Sequence, residues 1–186
     1  MSLGMLVIKS FYFMLPAYLA NAAPVLTKNV LKSLARPLDM GHHLRGRPLF
    51  GSHKTLRGLL AAIVAGIVVF LVQVCLHRFP LFQGIELFDY SSFYSQYYIL
   101  PGFLLGFGAI MGDLVESLIK RQASINAGGR WIPWDQVDFL IGALLLFFLI
   151  YIPSWKVIVI LFVLTPLIHI GMNHLAFYLN IRKVKW

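Results

Sequence analysis

The sequence predicts an all-α, polytopic membrane protein of about five spanning helices, with the N-terminus outside and the C-terminus cytoplasmic. Three observations predict it. Hydrophobic residues make up 59% of the 186-residue chain and charged residues only 12%, about half the charged share of a soluble domain. Five apolar segments approach the roughly 20 residues that a spanning helix needs. The basic residues then gather in alternate connections, as a charge-biased topology requires.

The first segment runs from about Leu3 to Leu26. Met1 to Val7 carries no basic front, and the apolar stretch passes Leu15 without a clear small-residue cleavage site, so it is expected to stay as a span rather than leave as a signal. The others run from about Leu56 to Leu76, Tyr94 to Val115, Val137 to Ile152, and Trp155 to Leu179. The third is expected to continue as a helix to Arg121, and the fourth is short. Pro16, Pro101 and Pro166 fall inside three of the segments and predict kinks or freed carbonyls. The chain reads as a single domain over residues 1–186, with a long cytoplasmic loop at about 27–55 and a second at about 122–135.

Thirteen of the sixteen Lys and Arg lie in three regions. Lys28, Lys32, Arg36, Arg45, Arg47, Lys54 and Arg57 are in the first connection. Lys120, Arg121 and Arg130 are in the third, and Arg182, Lys183 and Lys185 are in the tail. Five spans put all three on one side, and the positive-inside rule makes that side cytoplasmic. Trp131, Trp134 and Trp186 then fall near the inner interface, with Tyr151 and Trp155 near the outer one. In a soluble protein this basic excess would suggest nucleic acid. In a membrane protein topology explains it, together with anionic lipid or nucleotide partners, and no nucleic acid partner is expected. The lone Cys75 excludes an internal disulfide and a cysteine metal site.

The acidic residues point to chemistry. On a helix, Asp113, Ser117 and Lys120 share one stripe at the end of an apolar, Gly-rich run. A polar stripe there should face the protein interior or a wet cavity, since lipid exposure is costly. A helix end emerging into solvent with an ordinary Glu116–Lys120 pair is the bland alternative, and Asp113 fits it worst. Asp135 and Asp138 share a face at the start of the fourth span. Asp135 alone reads equally well as a helix cap. Three carboxylates, Asp113, Asp135 and Asp138, meeting near several Lys and Arg form a setting for Mg²⁺ with a polyphosphate, and spacing alone leaves both readings open. The first loop is basic and rich in Gly and Pro. Ser52 and His53 separate Gly51 from Lys54, so it holds no Walker motif; a loop closing on an anionic ligand and a plain solvated loop both remain. His42, His43, His169 and His174 are weak metal candidates.

Taken in order, Asn21-Ala-Ala-Pro24, Arg36-Pro37-Leu-Asp39, Lys54-Thr55-Leu-Arg57-Gly58, Gly112-Asp113-Leu-x-x-Ser117-x-x-Lys120-Arg121 and Asp135-x-x-Asp138 resemble the CDP-archaeol synthase family across almost the whole chain. The last three blocks also resemble the wider CDP-diacylglycerol synthases. The Lys-Asp that follows Lys-Arg in bacterial members is missing, Arg130-Trp131 replaces His-Gly-Gly, Gln136 stands where Arg is usual, and Arg57 replaces a Glu. These departures favour the archaeal branch.

The resemblance implies a membrane cytidylyltransferase that joins CTP to an isoprenoid ether-lipid phosphate, unsaturated archaetidic acid, and releases pyrophosphate. It implies Mg²⁺ on Asp113, Asp135 and Asp138. Lys120 and Arg121 would hold phosphate oxygens, as would Lys54 and Arg57 with help from Thr55. Ser117 would support a ligand, and Asn21 and Asp39 are weaker binding candidates. The site would lie at the cytoplasmic face, where water meets membrane lipids. An ester-lipid CDP-diacylglycerol synthase and a small transporter are the alternatives. A transporter would place its ionisable residues nearer mid-membrane. A lipid phosphatase would need six residues between Lys and Arg-Pro, whereas seven separate Lys28 from Arg36. A CDP-alcohol transferase would need Asp at four-residue spacing, and Asp135 and Asp138 are three apart. The oligomeric state is not legible in the sequence.

Overall fold

A computed structural model describes residues 2–126 and 129–179. Arg182, Lys183, Lys185 and Trp186, assigned above to the cytoplasmic tail, lie outside the described residues. Helix α1 (Leu3–Leu26) starts at Ser2, whose hydroxyl accepts the Met5 amide, and contains Pro16. Helix α2 (Leu56–Leu76) starts at Thr55, whose hydroxyl accepts the Gly58 amide at 3.2 Å. Short helices α3 (Pro80–Gln83) and α4 (Tyr90–Tyr97) follow, then α5 (Leu100–Gln122), α6 (Trp134–Phe147) and α7 (Trp155–Tyr178), with Pro166 inside α7. Four of these, α1, α2, α5 and α7, are long and apolar enough to cross a membrane.

Two expectations about spans change. The third segment is not continuous from Tyr94. Tyr98 sits in left-handed backbone at φ 53 and breaks it, so α4 ends at Tyr97 and α5 begins at Leu100. Pro101 is therefore in the first turn of α5, not in mid-helix, where its missing N–H costs nothing. As expected, α5 continues through the polar stretch, as far as Gln122. The fourth segment is the 14-residue α6, about 21 Å long at 1.5 Å per residue, which is short of the roughly 30 Å hydrocarbon core.

Glycines set the packing. α5 lies between α2 and α6, touching backbone on both sides. A methyl on Gly66 would fall 2.6 Å from the Gly102 carbonyl oxygen, and one on Gly142 would fall 2.2 Å from that of Gly108. Only glycine permits such approach, which replaces the hydrophobic driving force that lipid removes. The core between α1, α5 and α6 is filled by Phe13, Met14, Ala17, Leu105, Ala109, Leu140 and Phe147. Tyr18 and Thr165 share a 2.8 Å hydrogen bond that ties α7 to α1. Strips such as Val64, Val68 and Val72 on α2 remain exposed, as lipid-facing residues should.

The connection after α1 is ordered rather than open. Leu38 N–H donates to the Lys54 carbonyl at 2.8 Å and Leu56 N–H to that of Arg36 at 3.0 Å, so segment 36–38 lies beside 54–56. Between them, strands β1 (His43–Leu44) and β2 (Arg47–Pro48) form a hairpin. Its turn residues Arg45 and Gly46 both have positive φ, the geometry a two-residue hairpin turn demands.

Candidate active site at the α5–α6 crossing

Asp113, Glu116, Ser117 and Lys120 recur every three or four residues along α5 and so share one face. Gly112 lets α6 come close beside that face, since a methyl there would lie 2.1 Å from the Asp138 carbonyl oxygen. The crossing thus brings Asp138 to the α5 carboxylates. One carboxylate oxygen from each of Asp113, Glu116 and Asp138 lies within 4.8 Å of the others. Three hard oxygen donors at that spread fit a hard divalent cation such as Mg²⁺. Glu116 is only 7% exposed, and three carboxylates so close repel unless a cation joins them.

Asp135, expected as a ligand beside Asp113 and Asp138, is not in this group. Its Oδ1 takes Lys120 Nζ at 2.8 Å and its Oδ2 takes the Trp131 amide at 2.8 Å. Glu116, read from sequence only as an ordinary pair with Lys120, stands in the acidic group instead. It also lies 3.0 Å from Lys120 Nζ. Lys120, buried at 7% exposure, therefore sits between Glu116 and Asp135. Asp138 Oδ1 accepts the Phe139 amide at 2.6 Å.

Lys54 reaches the cluster from the residue before the α2 cap, with Nζ 2.5 Å from Asp113 Oδ2. Thr55 is occupied as the α2 cap. Arg57, expected to hold phosphate, donates instead to the Lys28 and Val30 carbonyls at 2.7 and 3.3 Å, fastening the chain that leaves α1. Arg121 donates to the Asn126 carbonyl at 3.0 Å, closing the end of α5. Ser117 is buried on the active face of α5, and Asn21 is half-buried on α1.

Asp39 organises the loop. It accepts the amides of Gly41 at 3.1 Å, Phe50 at 3.1 Å and Gly51 at 2.9 Å. Burial opposes its ionisation, but these three donors outweigh burial and hold its carboxyl below the usual range. The carboxylate thus pins the loop through three backbone amides.

The arrangement can hold a cation against anionic oxygens at one end of the bundle, with Lys54 and Lys120 beside it. Comparison with known proteins agrees with that chemistry. Residues 3–186 match the family described as CarS-like, CDP-archaeol synthase. A CDP-archaeol synthase of Methanospirillum hungatei is 34% identical over 181 residues, covering 93% of this chain and 100% of that protein. One from Thermococcus kodakarensis is 37% identical over 180 residues, covering 95% of each. A solved structure described as an intramembrane enzyme for archaeal membrane lipids biosynthesis is similar with a TM-score of 0.68 and 30% identity, covering 88% of this chain and 91% of that one.

Proposed function

The chain belongs to the CDP-archaeol synthase family of membrane cytidylyltransferases, and from that premise we propose how its polar end carries out the reaction. CTP and an isoprenoid ether-lipid phosphate meet at the α5–α6 crossing, and a lipid phosphate oxygen attacks the α-phosphorus of CTP. The P–O bond to pyrophosphate breaks as the new P–O bond forms, giving CDP-archaeol. The lipid oxygen is already ionised, so no general base is required. The protein's work is positioning and charge neutralisation.

The observation that carries this is the convergence of Asp113, Glu116 and Asp138. These three would hold Mg²⁺, which when bound neutralises phosphate oxygens and favours departure of pyrophosphate. Lys54 is poised to exchange Asp113 for a phosphate oxygen. Lys120, clamped by Glu116 and Asp135, holds the α5 and α6 carboxylates in register and offers its remaining donor capacity to phosphate. Ser117 supports this face.

We place the site at the cytoplasmic face, because CTP is in water and the basic connections belong on the inside. α6 carries the chain from this end of the bundle to the other, so we count it as a fifth crossing despite its length. The lipid's chains stay in the bilayer alongside the helices. The test is turnover by purified protein in detergent with Mg²⁺ and an ether-linked lipid phosphate, comparing CTP with ATP, GTP and UTP. A CDP-lipid formed with pyrophosphate, only from CTP, is expected. No product from folded protein with either ether or ester lipid phosphates would overturn the reading.

A further inference from the structure

Among the basic residues expected to grip phosphate, Lys54 is paired with Asp113 and Lys120 with Glu116 and Asp135. Arg57 and Arg121 have turned to backbone carbonyls. Two further cationic donors near the end of α5 are on the hairpin. Arg45, in the β1–β2 turn, and Arg47, in β2, line a cavity of about 290 Å³ together with Gln122, the last residue of α5. Among the described residues, neither arginine is paired with a carboxylate. Arg47 donates one guanidinium N–H to the Gln122 carbonyl, which seats the hairpin on α5 and leaves further N–H groups free. The Gln122 side-chain amide nitrogen is buried without a hydrogen-bond partner, a donor whose desolvation is uncompensated.

The Arg45 and Arg47 guanidiniums, with no acid between them, offer the planar, multidentate donors that suit phosphate, and Gln122 closes the cavity beside them. The cavity is at the lower limit of small-molecule sites, about 300–1,000 Å³. It accommodates a headgroup or a diphosphate, not a whole lipid or nucleotide.

We propose that the Arg45–Arg47–Gln122 cavity binds a phosphate group of substrate or product, the hairpin serving as a second phosphate grip at the end of α5, beyond the carboxylate cluster. The identity of the phosphate rests on the cytidylyltransferase reading; the existence of an anion site does not.

The test has two parts. Inorganic pyrophosphate is first titrated against nucleotide-free protein, read by thermal shift, for wild type, Arg45→Gln and Arg47→Gln. Arg45 is exposed, so its variant folds even if Arg47→Gln loosens the hairpin. Loss of one charged hydrogen-bonding group should weaken pyrophosphate binding roughly tenfold or more. Kinetics then separate the sources. A raised KM for lipid phosphate, with pyrophosphate inhibition unchanged, assigns the cavity to the lipid headgroup. Weakened pyrophosphate inhibition with a raised KM for CTP assigns it to the nucleotide's diphosphate end. Arg45→Gln that matches wild type in pyrophosphate binding and in both KM values overturns the proposal. Pyrophosphate binding that Arg45→Gln abolishes, in a protein that never forms CDP-lipid, would uphold the site and reject the enzyme reading.

Discussion

Replacing Gly142 by alanine should weaken metal binding about 10–100-fold in a protein that still folds. The new methyl would lie 2.2 Å from the Gly108 carbonyl oxygen, 2.7 Å from the Gly112 nitrogen and 2.8 Å from its Cα, where side-chain carbons essentially never come within 3.0 Å. All three are backbone atoms, so no rotamer can yield. α6 must move away from α5 by about 0.8 Å, the difference between 3.0 and 2.2 Å. Asp138 rides on α6, one helical turn from Gly142, while Asp113 and Glu116 ride on α5. The separation therefore opens between the carboxylates themselves. Mg²⁺ tolerates ligands only near 2.0–2.1 Å, so a shift of this size removes one protein ligand. A loss of about 10–100-fold in metal affinity is expected, the range seen when supporting residues of metal sites are altered. Overpacking costs about 1–3 kcal/mol, and alanine's better helix propensity returns up to about 1 kcal/mol. The assay is Mn²⁺ titration by electron paramagnetic resonance on nucleotide-free protein, beside the Mg²⁺ dependence of CDP-lipid formation. Gly66→Ala is the control. Its methyl would lie 2.6 Å from the Gly102 carbonyl oxygen, at the α2–α5 contact, so it should cost stability yet leave metal affinity within about threefold. Folded Gly142→Ala protein with wild-type affinity for Mn²⁺ would mean that the α5–α6 spacing does not set the metal site.

Asp113→Asn should abolish turnover and leave a folded, detergent-stable protein; near wild-type turnover would remove Asp113 from the site. Lys120→Met strands the Glu116 and Asp135 carboxylates, and breaking a buried ion pair costs about 3–5 kcal/mol, so its melting temperature should fall clearly below that of Asp113→Asn. Asp39 has a lowered carboxyl pKa. Its contribution to loop order is therefore complete above the ordinary carboxylate value of about 3.9 and is lost as pH falls through its lower folded value. Hydrogen exchange at Gly41, Phe50 and Gly51 should stay slow at pH 5 and accelerate only well below the ordinary carboxylate value, once intrinsic exchange rates are corrected for; protection that never falls on acidification would contradict this.

The apolar runs and the basic connections were legible in the sequence because lipid imposes them residue by residue. The break at Tyr98 was not, since nothing about a tyrosine announces positive φ. The α5 face was legible as well, for helical spacing alone aligns Asp113 with Ser117 and Lys120. Which carboxylates complete it was not. Asp135 and Asp138 are equivalent by spacing, and only the glycine contacts between α5 and α6 decide that Asp138 joins Asp113 while Asp135 turns to Lys120. Glu116 was visible as an i,i+4 partner of Lys120. It fills that role and, through the same crossing, lies beside Asp113 and Asp138. Asp39 carried a local signal in Asp39-Met-Gly41, the chemistry of an Asx turn. The carbonyl partners of Arg57 had none, because they come from the chain leaving α1.

In the mechanism proposed here, Asp113, Glu116 and Asp138 together hold the cation that receives CTP. The most direct measurement is the anomalous scattering of Mn²⁺, standing in for Mg²⁺, in crystals grown with CTP. A single strong peak within ligand distance of all three carboxylates, and touching the nucleotide's phosphates, is the predicted result. A peak held by Asp135 in place of Glu116, or away from the α5–α6 crossing, would contradict the account.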